Sequence, residues 1–187
     1  MLRKTKKSSW RLLLGLLIIL FGLGIFGLVP KKITTAPISS APAKYQDFHL
    51  EIPKLELSAP IIPEVPGGDT DKDIYFKSLE NGVAHFAGTK KPGENGLIFI
   101  FGHSSYYPWA AGDYKEIFAN LDDLAIDDEI SVWYQEKEYK YLVIETKTIV
   151  PSDVSVLNPT NSEELVLMTC WPPGTTTKRL IIRAKPI

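Results

Sequence analysis

The chain has 187 residues, a formal net charge of −1 and a single cysteine, Cys170. A length of this order fits one domain, or one domain with an appendage. One thiol excludes an intramolecular disulfide framework and a multi-cysteine zinc site. The near-zero charge hides a split: residues 1–32 hold seven basic groups and no acidic ones, while residues 33–187 hold 14 basic and 22 acidic groups, a net of −8. An acidic main body argues against nucleic acid as a partner, since such binders carry a basic patch.

Residues 1–11 are a basic N-terminus. Residues 12–29 (LLLGLLIILFGLGIFGLV) contain no charge. As a helix this run is about 27 Å long, close to the hydrocarbon thickness of a bilayer. Trp10 stands just before it, and the heavier basic flank precedes it. The expectation is a single transmembrane signal anchor, N-terminus cytoplasmic and main body extracellular. A cleaved signal peptide fits less well: the small residues Ala41-Pro42-Ala43 lie far beyond the apolar run, with a proline between the alanines. Residues 30–44, with three prolines and small polar residues, read as an extended linker. Residues 45–187 are then one extracellular domain, long enough for a sizeable core.

Within that domain short strands dominate. Strands are expected at 48–52, 59–62, 83–86, 97–101, 129–134, 139–150, 165–170 and 179–184. Short helices are expected at 71–79, capped by Asp71 and stopped at Asn81-Gly82, and at 114–121. The run LIFIF at 97–101 suits a strand buried on both faces. Residues 135–138 read as a hairpin connection, and residues 91–96 (KPGENG) as a turn. Residues 150–163 form a polar loop with isolated apolar residues Val154, Val156 and Leu157. Eight short strands separated by turn signals suggest a closed barrel or a sandwich.

Cys170 ends an apolar strand and is followed by Trp171-Pro172-Pro173-Gly174, which cannot continue one. A lone thiol is commonly a buried packing residue. At a strand end, on a domain expected outside the cell, it is a candidate nucleophile. Arg179 opens the next strand nine positions later. If the two strands pair antiparallel, Cys170 and about Arg179 face each other, with Cα atoms about 4.5–5.5 Å apart. A guanidinium there favours a thiolate or stabilises an oxyanion. An ordinary surface arginine at a strand start is the other reading, and spacing alone leaves both open.

A thiolate nucleophile usually needs a histidine. His103 follows the most apolar strand and precedes Ser104-Ser105-Tyr106-Tyr107, a setting expected at a barrel rim. His85, inside a strand, reads as a hydrogen-bonded structural residue, and His49 as exposed. No cluster has metal-ligand spacing, and neither a Gly-x-Ser-x-Gly elbow nor a phosphate-binding glycine loop is present. No cofactor and no required metal are expected.

These residues resemble the sortase family, membrane-anchored cysteine transpeptidases of the bacterial surface. The likeness rests on Leu165-Val166-Leu167-Met168-Thr169-Cys170, where Leu167, Thr169 and Cys170 match a Thr-Leu-x-Thr-Cys strand end and Val166 replaces the first Thr. It also rests on Arg179-Leu180-Ile181-Ile182, on Gly102-His103, and on the order His, Cys, Arg. Further echoes are Ile52-Pro53-Lys54-Leu55, Gly82-Val83-Ala84-His85-Phe86-Ala87-Gly88-Thr89, Pro92-Gly93-Glu94-Asn95-Gly96 and Asp128-Glu129-Ile130.

The resemblance implies an eight-stranded β-barrel and an enzyme. Cys170 would attack the Thr–Gly bond of a Leu-Pro-x-Thr-Gly-like sorting signal, forming a thioacyl-enzyme that an amine resolves. His103 would serve as acid and base, and Arg179 would position substrate and stabilise the oxyanion. Partners would be surface proteins bearing the signal and an amine from a cell-wall precursor or another protein. Val154, Val156, Leu157 and Thr169 are the substrate-binding candidates, and the three loop residues either contact the Leu-Pro part or pack the loop. Asn95 and Asp113 are candidates to orient His103. The short, proline-rich loop after Cys170 argues against assigning a subclass from distant members. The absence of an Asp-Pro-aromatic segment before the barrel and of a second apolar helix argues against pilin polymerisation. An L,D-transpeptidase would carry Gly before the nucleophile and Arg two after it, where Thr169 and Pro172 stand. Papain-like peptidases reverse the Cys–His order. The rival of another class is a catalytically silent, membrane-tethered barrel that binds a peptide or partner.

Overall fold

The computed structural model describes Tyr45 and residues 47–187. The basic N-terminus, the expected anchor at 12–29 and the linker at 30–44 lie outside the described residues.

Eight strands form one closed barrel: β1 (His49–Ile52), β2 (Leu57–Val65), β3 (Val83–Phe86), β4 (Leu97–Phe101), β5 (Glu129–Tyr134), β6 (Lys137–Ile149), β7 (Glu164–Trp171) and β8 (Lys178–Pro186). Their order around the barrel is β1-β2-β3-β4-β7-β8-β6-β5, closed by the β1–β5 pair. Closure leaves no strand edge exposed, which settles the barrel-or-sandwich alternative. Two neighbour pairs are parallel, β2–β3 and β4–β7. Parallel neighbours need a crossover connection. Helix α1 (Lys72–Asn81) supplies the first, and the β5–β6 hairpin lies within the second. Asp71 caps α1 by accepting a hydrogen bond from the Ile74 N–H at 3.0 Å.

Period-2 alternation divides the buried residues into two clusters. The interior takes Ile98 and Ile100 from β4, Leu165 and Leu167 from β7, and Leu180 and Ile182 from β8. The outer face takes Leu97, Phe99 and Phe101, then Val166, then Ile181, covered by Leu79 of α1 and Val156 of the 150–163 loop. Each fully buried Leu, Ile or Phe contributes roughly 1.5–3 kcal/mol relative to exposure. β4 is therefore buried on both faces, as its unbroken apolar run predicts. Cys170 and Arg179 fall on the outer-facing parity of β7 and β8.

Two expectations are corrected. No α-helix forms over 114–121. The N–H groups of Ile117, Ala119 and Leu121 bond three residues back, and that of Phe118 goes to the His103 carbonyl at 2.9 Å. A single 3₁₀ turn follows, Leu121–Asp123. The pull is tertiary: Phe118, Leu121 and Leu124 are all buried in the interior cluster. The β5–β6 connection is two residues rather than four, with Gln135 and Glu136 both at positive φ (51° and 64°). That is the geometry of a tight hairpin usually written Asn-Gly, so its sequence signal was absent.

Candidate active site

The β7–β8 ladder runs antiparallel in continuous register and pairs Cys170 with Arg179. The spacing of nine is a two-stranded corner whose loop begins at the cis Trp171–Pro172 peptide. β4 lies parallel on the other side of β7, with Phe101 opposite Met168. The Gly102 N–H continues that ladder by donating to the Met168 carbonyl at 3.1 Å. Extending the register brings His103 level with Cys170. His103, Cys170 and Arg179 thus stand at the same end of three adjacent strands.

Gly102 makes this approach possible. A Cβ there would stand 2.9 Å from Phe118 Cδ2 and 3.1 Å from Val83 Cγ1. Thr169 clamps the same point: its hydroxyl donates to the Gly102 carbonyl at 2.9 Å. Thr169 is only 2% exposed and is not among the residues that line the cavity. Its side chain points to the barrel-interior parity and is occupied by strand-to-strand bonding.

Cys170 is a half-buried free thiol. The Arg179 guanidinium donates from one nitrogen to the carbonyls of Thr176 (3.1 Å) and Lys178 (3.0 Å), which fixes its head within the β7–β8 loop. The Ser105 hydroxyl accepts the Gly174 N–H at 2.7 Å, joining the loop after β4 to the loop after β7.

The His103 ring lies on Tyr106, with centroids 4.6 Å apart and planes 14° from parallel. Burial holds its imidazole below the usual range, favouring the neutral form. Neither Asn95 nor Asp113 bonds it among the described residues. Asn95 precedes β4 while His103 follows it, so the full length of the strand separates them. His85 is fully buried, its Nε2 2.9 Å from the Lys90 carbonyl, and burial lowers its pKa as well. That is the structural histidine the sequence suggests. His49 is half-buried rather than exposed, stacked on Tyr45 with its Nε2 2.8 Å from Ser58 Oγ.

A cavity of about 510 Å³ opens on the outer face beside Arg179. Its floor is Phe99, Phe101 and Met168, and its walls come from α1, the 67–69 segment and the 150–163 loop. Val154, Val156 and Leu157 all line it. They serve differently: Val156 is buried in the outer cluster, Leu157 packs against it, and Val154 is exposed. Tyr75 of α1 also lines the cavity, its ring stacked on Phe101 at 5.3 Å. Burial raises the Tyr75 pKa, the Cys170 charge adds to the rise and Arg179 opposes it, so the phenol sits in the field of both. Sequence reading missed Tyr75, Phe76 and Tyr106. The signals available were the aromatic pair on a short polar helix and the Tyr-Tyr pair just after His103.

No cluster of three or more His, Cys, Asp or Glu that could hold a metal occurs among the described residues.

The sortase-domain family model matches residues 50–187. Sortase D of Bacillus subtilis (strain 168) is 32% identical over 142 residues, covering 74% of this chain and 62% of that protein. Sortase C1 of GBS Pilus Island 1 superposes with a TM-score of 0.63 at 26% identity, covering 75% of this chain and 63% of that one. The Clostridium perfringens Sortase D5 transpeptidase gives a TM-score of 0.60 at 29% identity, covering 76% of this chain and 79% of that one. The chain thus spans somewhat under two thirds of the length of the first two. With the barrel, the paired Cys170 and Arg179, and a family match over 138 residues, the chain belongs to the sortase family, a family of cysteine transpeptidases.

Proposed function

We propose that this chain is a cysteine transpeptidase acting on a Leu-Pro-x-Thr-Gly-like sorting signal. The observation that carries the reading is the register that pairs Cys170 with Arg179 and leaves His103 at the same end of the adjacent strand, with Arg179 lining a largely apolar cavity. The donor peptide lies in that cavity, its Leu-Pro part against Val154, Val156 and Leu157. Cys170 Sγ gives its proton to His103 and attacks the Thr carbonyl carbon, forming the S–C bond. The oxyanion is stabilised by the Arg179 guanidinium. His103 then returns the proton to the departing Gly nitrogen as the C–N bond breaks. An incoming amine attacks the thioacyl carbon, His103 takes the proton released from its nitrogen, and the S–C bond breaks. Tyr106 holds the imidazole plane by stacking. The donors are surface proteins carrying the signal, and the acceptor is an amine of a cell-wall precursor or of another protein. Residues 12–29 anchor the chain in the membrane, with the barrel outside the cell.

The test is incubation of the purified chain with a sorting-peptide library and several amines, followed by mass analysis. The expected product is a thioacyl adduct on Cys170 that an amine converts to a new amide. A thiol that reacts no faster than free cysteine, with His103→Ala unchanged, would support the silent, peptide-binding barrel instead.

A further inference from the structure

Rings follow one another outward from His103. Tyr106 stacks on His103 at 4.6 Å and meets Tyr107 at 5.3 Å. Tyr107 stacks on Trp109 at 5.1 Å and 24°. Exposure rises along the row: Tyr106 is half-buried, Tyr107 is 59% exposed and Trp109 82% exposed. Core packing therefore does not account for the outer two rings. Tyr and Trp held at a wet surface combine a large apolar face with a polar edge, the composition of recognition sites.

The turn that carries them is fixed in place. The Ala110 N–H donates to the Tyr107 carbonyl at 3.0 Å. Lys115 Nζ donates to the Pro108 carbonyl at 3.0 Å, between the two exposed rings in sequence. The bond between Ser105 and Gly174 holds the base of the same loop.

The row lies outside the donor cavity. Phe76 lines the cavity and also stacks on Tyr106 at 6.1 Å, but His103, Tyr106, Tyr107 and Trp109 are not part of the lining. Phe76 marks the border between the two surfaces. A second substrate must nevertheless reach His103, and in the proposed reaction that substrate is an amine. In water near neutral pH an alkylamine is an ammonium ion. Aromatic faces attract ammonium ions, Trp most strongly. The net −8 of residues 33–187 adds a long-range field of the same sense, opposed locally by the Lys115 ammonium at the Pro108 carbonyl.

We infer that Tyr107 and Trp109 form the docking surface for the acyl acceptor, a peptide-borne primary ammonium, and raise its concentration beside His103. The inference rests on the transpeptidase reading above. The docked ammonium first loses one proton to solvent. The neutral amine then attacks the thioacyl carbon, His103 takes the proton released from nitrogen, the amide C–N bond forms and the S–C bond to Cys170 breaks. Water has no affinity for the rings, so the surface favours transfer over hydrolysis.

The experiment uses the detergent-solubilised full chain, a sorting-motif donor peptide and triglycine as acceptor. It reads the acceptor KM and the ratio of transfer to hydrolysis. Tyr107→Ala and Trp109→Ala are each expected to raise the acceptor KM about two- to fivefold. The donor KM and the hydrolysis rate should stay at wild-type values, and Trp109→Phe should recover most of the loss. Added salt should raise the triglycine KM. Hydroxylamine, uncharged at neutral pH, should be insensitive to both alanine substitutions. An unchanged triglycine KM in both alanine variants overturns the inference. So does an equal loss with hydroxylamine, which would mean that the rings act on His103 itself. Binding of anionic vesicles through Trp109 with no change in acceptor KM would assign the rings to a membrane surface instead. If the wild-type chain forms no thioacyl adduct, the underlying transpeptidase reading fails, and that outcome is separate from a KM that does not move.

Discussion

Cys170 and Arg179 belong to a ladder of seven residue pairs, from Leu165–Ala184 to Trp171–Lys178. His103 stands past the end of β4, on a loop fastened by ring stacking and a few hydrogen bonds. A slip of one residue in the ladder would move every side chain of β7 to the opposite face and take Leu165 and Leu167 out of the barrel interior. The barrel core therefore enforces the Cys–Arg juxtaposition cooperatively. Among the described residues no hydrogen bond to the His103 ring enforces its rotamer, and the Tyr106 stack is what holds its plane. One side of the site inherits the stability of the fold, and the other depends on local contacts.

Substitutions on the two sides should therefore differ in kind. The largest effect is Cys170→Ala, which removes the nucleophile and should eliminate the thioacyl adduct seen by mass spectrometry, with the barrel's thermal transition retained. Arg179→Lys comes next. Lysine keeps the charge but lacks the planar fork, and kcat/KM for the sorting peptide should fall on the order of 10²–10³-fold. Wild-type turnover in that variant would reduce Arg179 to a surface residue.

On the loop side, Tyr106→Ala should lower kcat about tenfold, within the 10²-fold that a misplacement of about 1 Å can cost. Tyr106→Phe should be close to wild type, because the stack and not the hydroxyl is required. The acid limb of kcat/KM for acylation gives a finer test. Burial disfavours the imidazolium, so His103 stays a neutral base to lower pH than usual. Activity should then fall away only below about pH 6.5, the ordinary histidine value. In Tyr106→Ala, water reaches the ring and the limb should move up toward that value. A limb unmoved by the substitution would show that Tyr106 does not shield His103. Thr169→Val bears on both sides at once, since its hydroxyl ties β7 to Gly102. Loss of that buried bond should cost about 1–3 kcal/mol in denaturant unfolding.

The same contrast governs what could be read before the fold was known. Two apolar runs and a spacing of nine lead to the Cys170–Arg179 pairing once the strands are taken as antiparallel neighbours, because strand register is a periodic property of sequence. The double burial of β4 followed from LIFIF for the same reason. The parallel contact of β4 with β7 left no local trace, since the residues that close it are more than sixty positions apart. Over 114–121, burial of Phe118 and Leu121 and the bond from the Phe118 N–H to the His103 carbonyl select turns over the expected helix. Asn95 and Asp113 are candidate partners of His103 only on the premise of a hydrogen bond. A stack between rings three residues apart carries no such mark. Thr169 is a substrate-binding candidate through a family motif alone, and its parity on β7 puts its side chain toward the barrel interior.

The bond between Ser105 and Gly174 has a further consequence. It is the hydrogen bond that joins the two loops at the mouth of the site, and it lies at the surface. Such a bond is worth about 0.5–1.5 kcal/mol net. It stitches together, at one point, two segments 69 positions apart in the chain, one just after the histidine and one just after the cysteine.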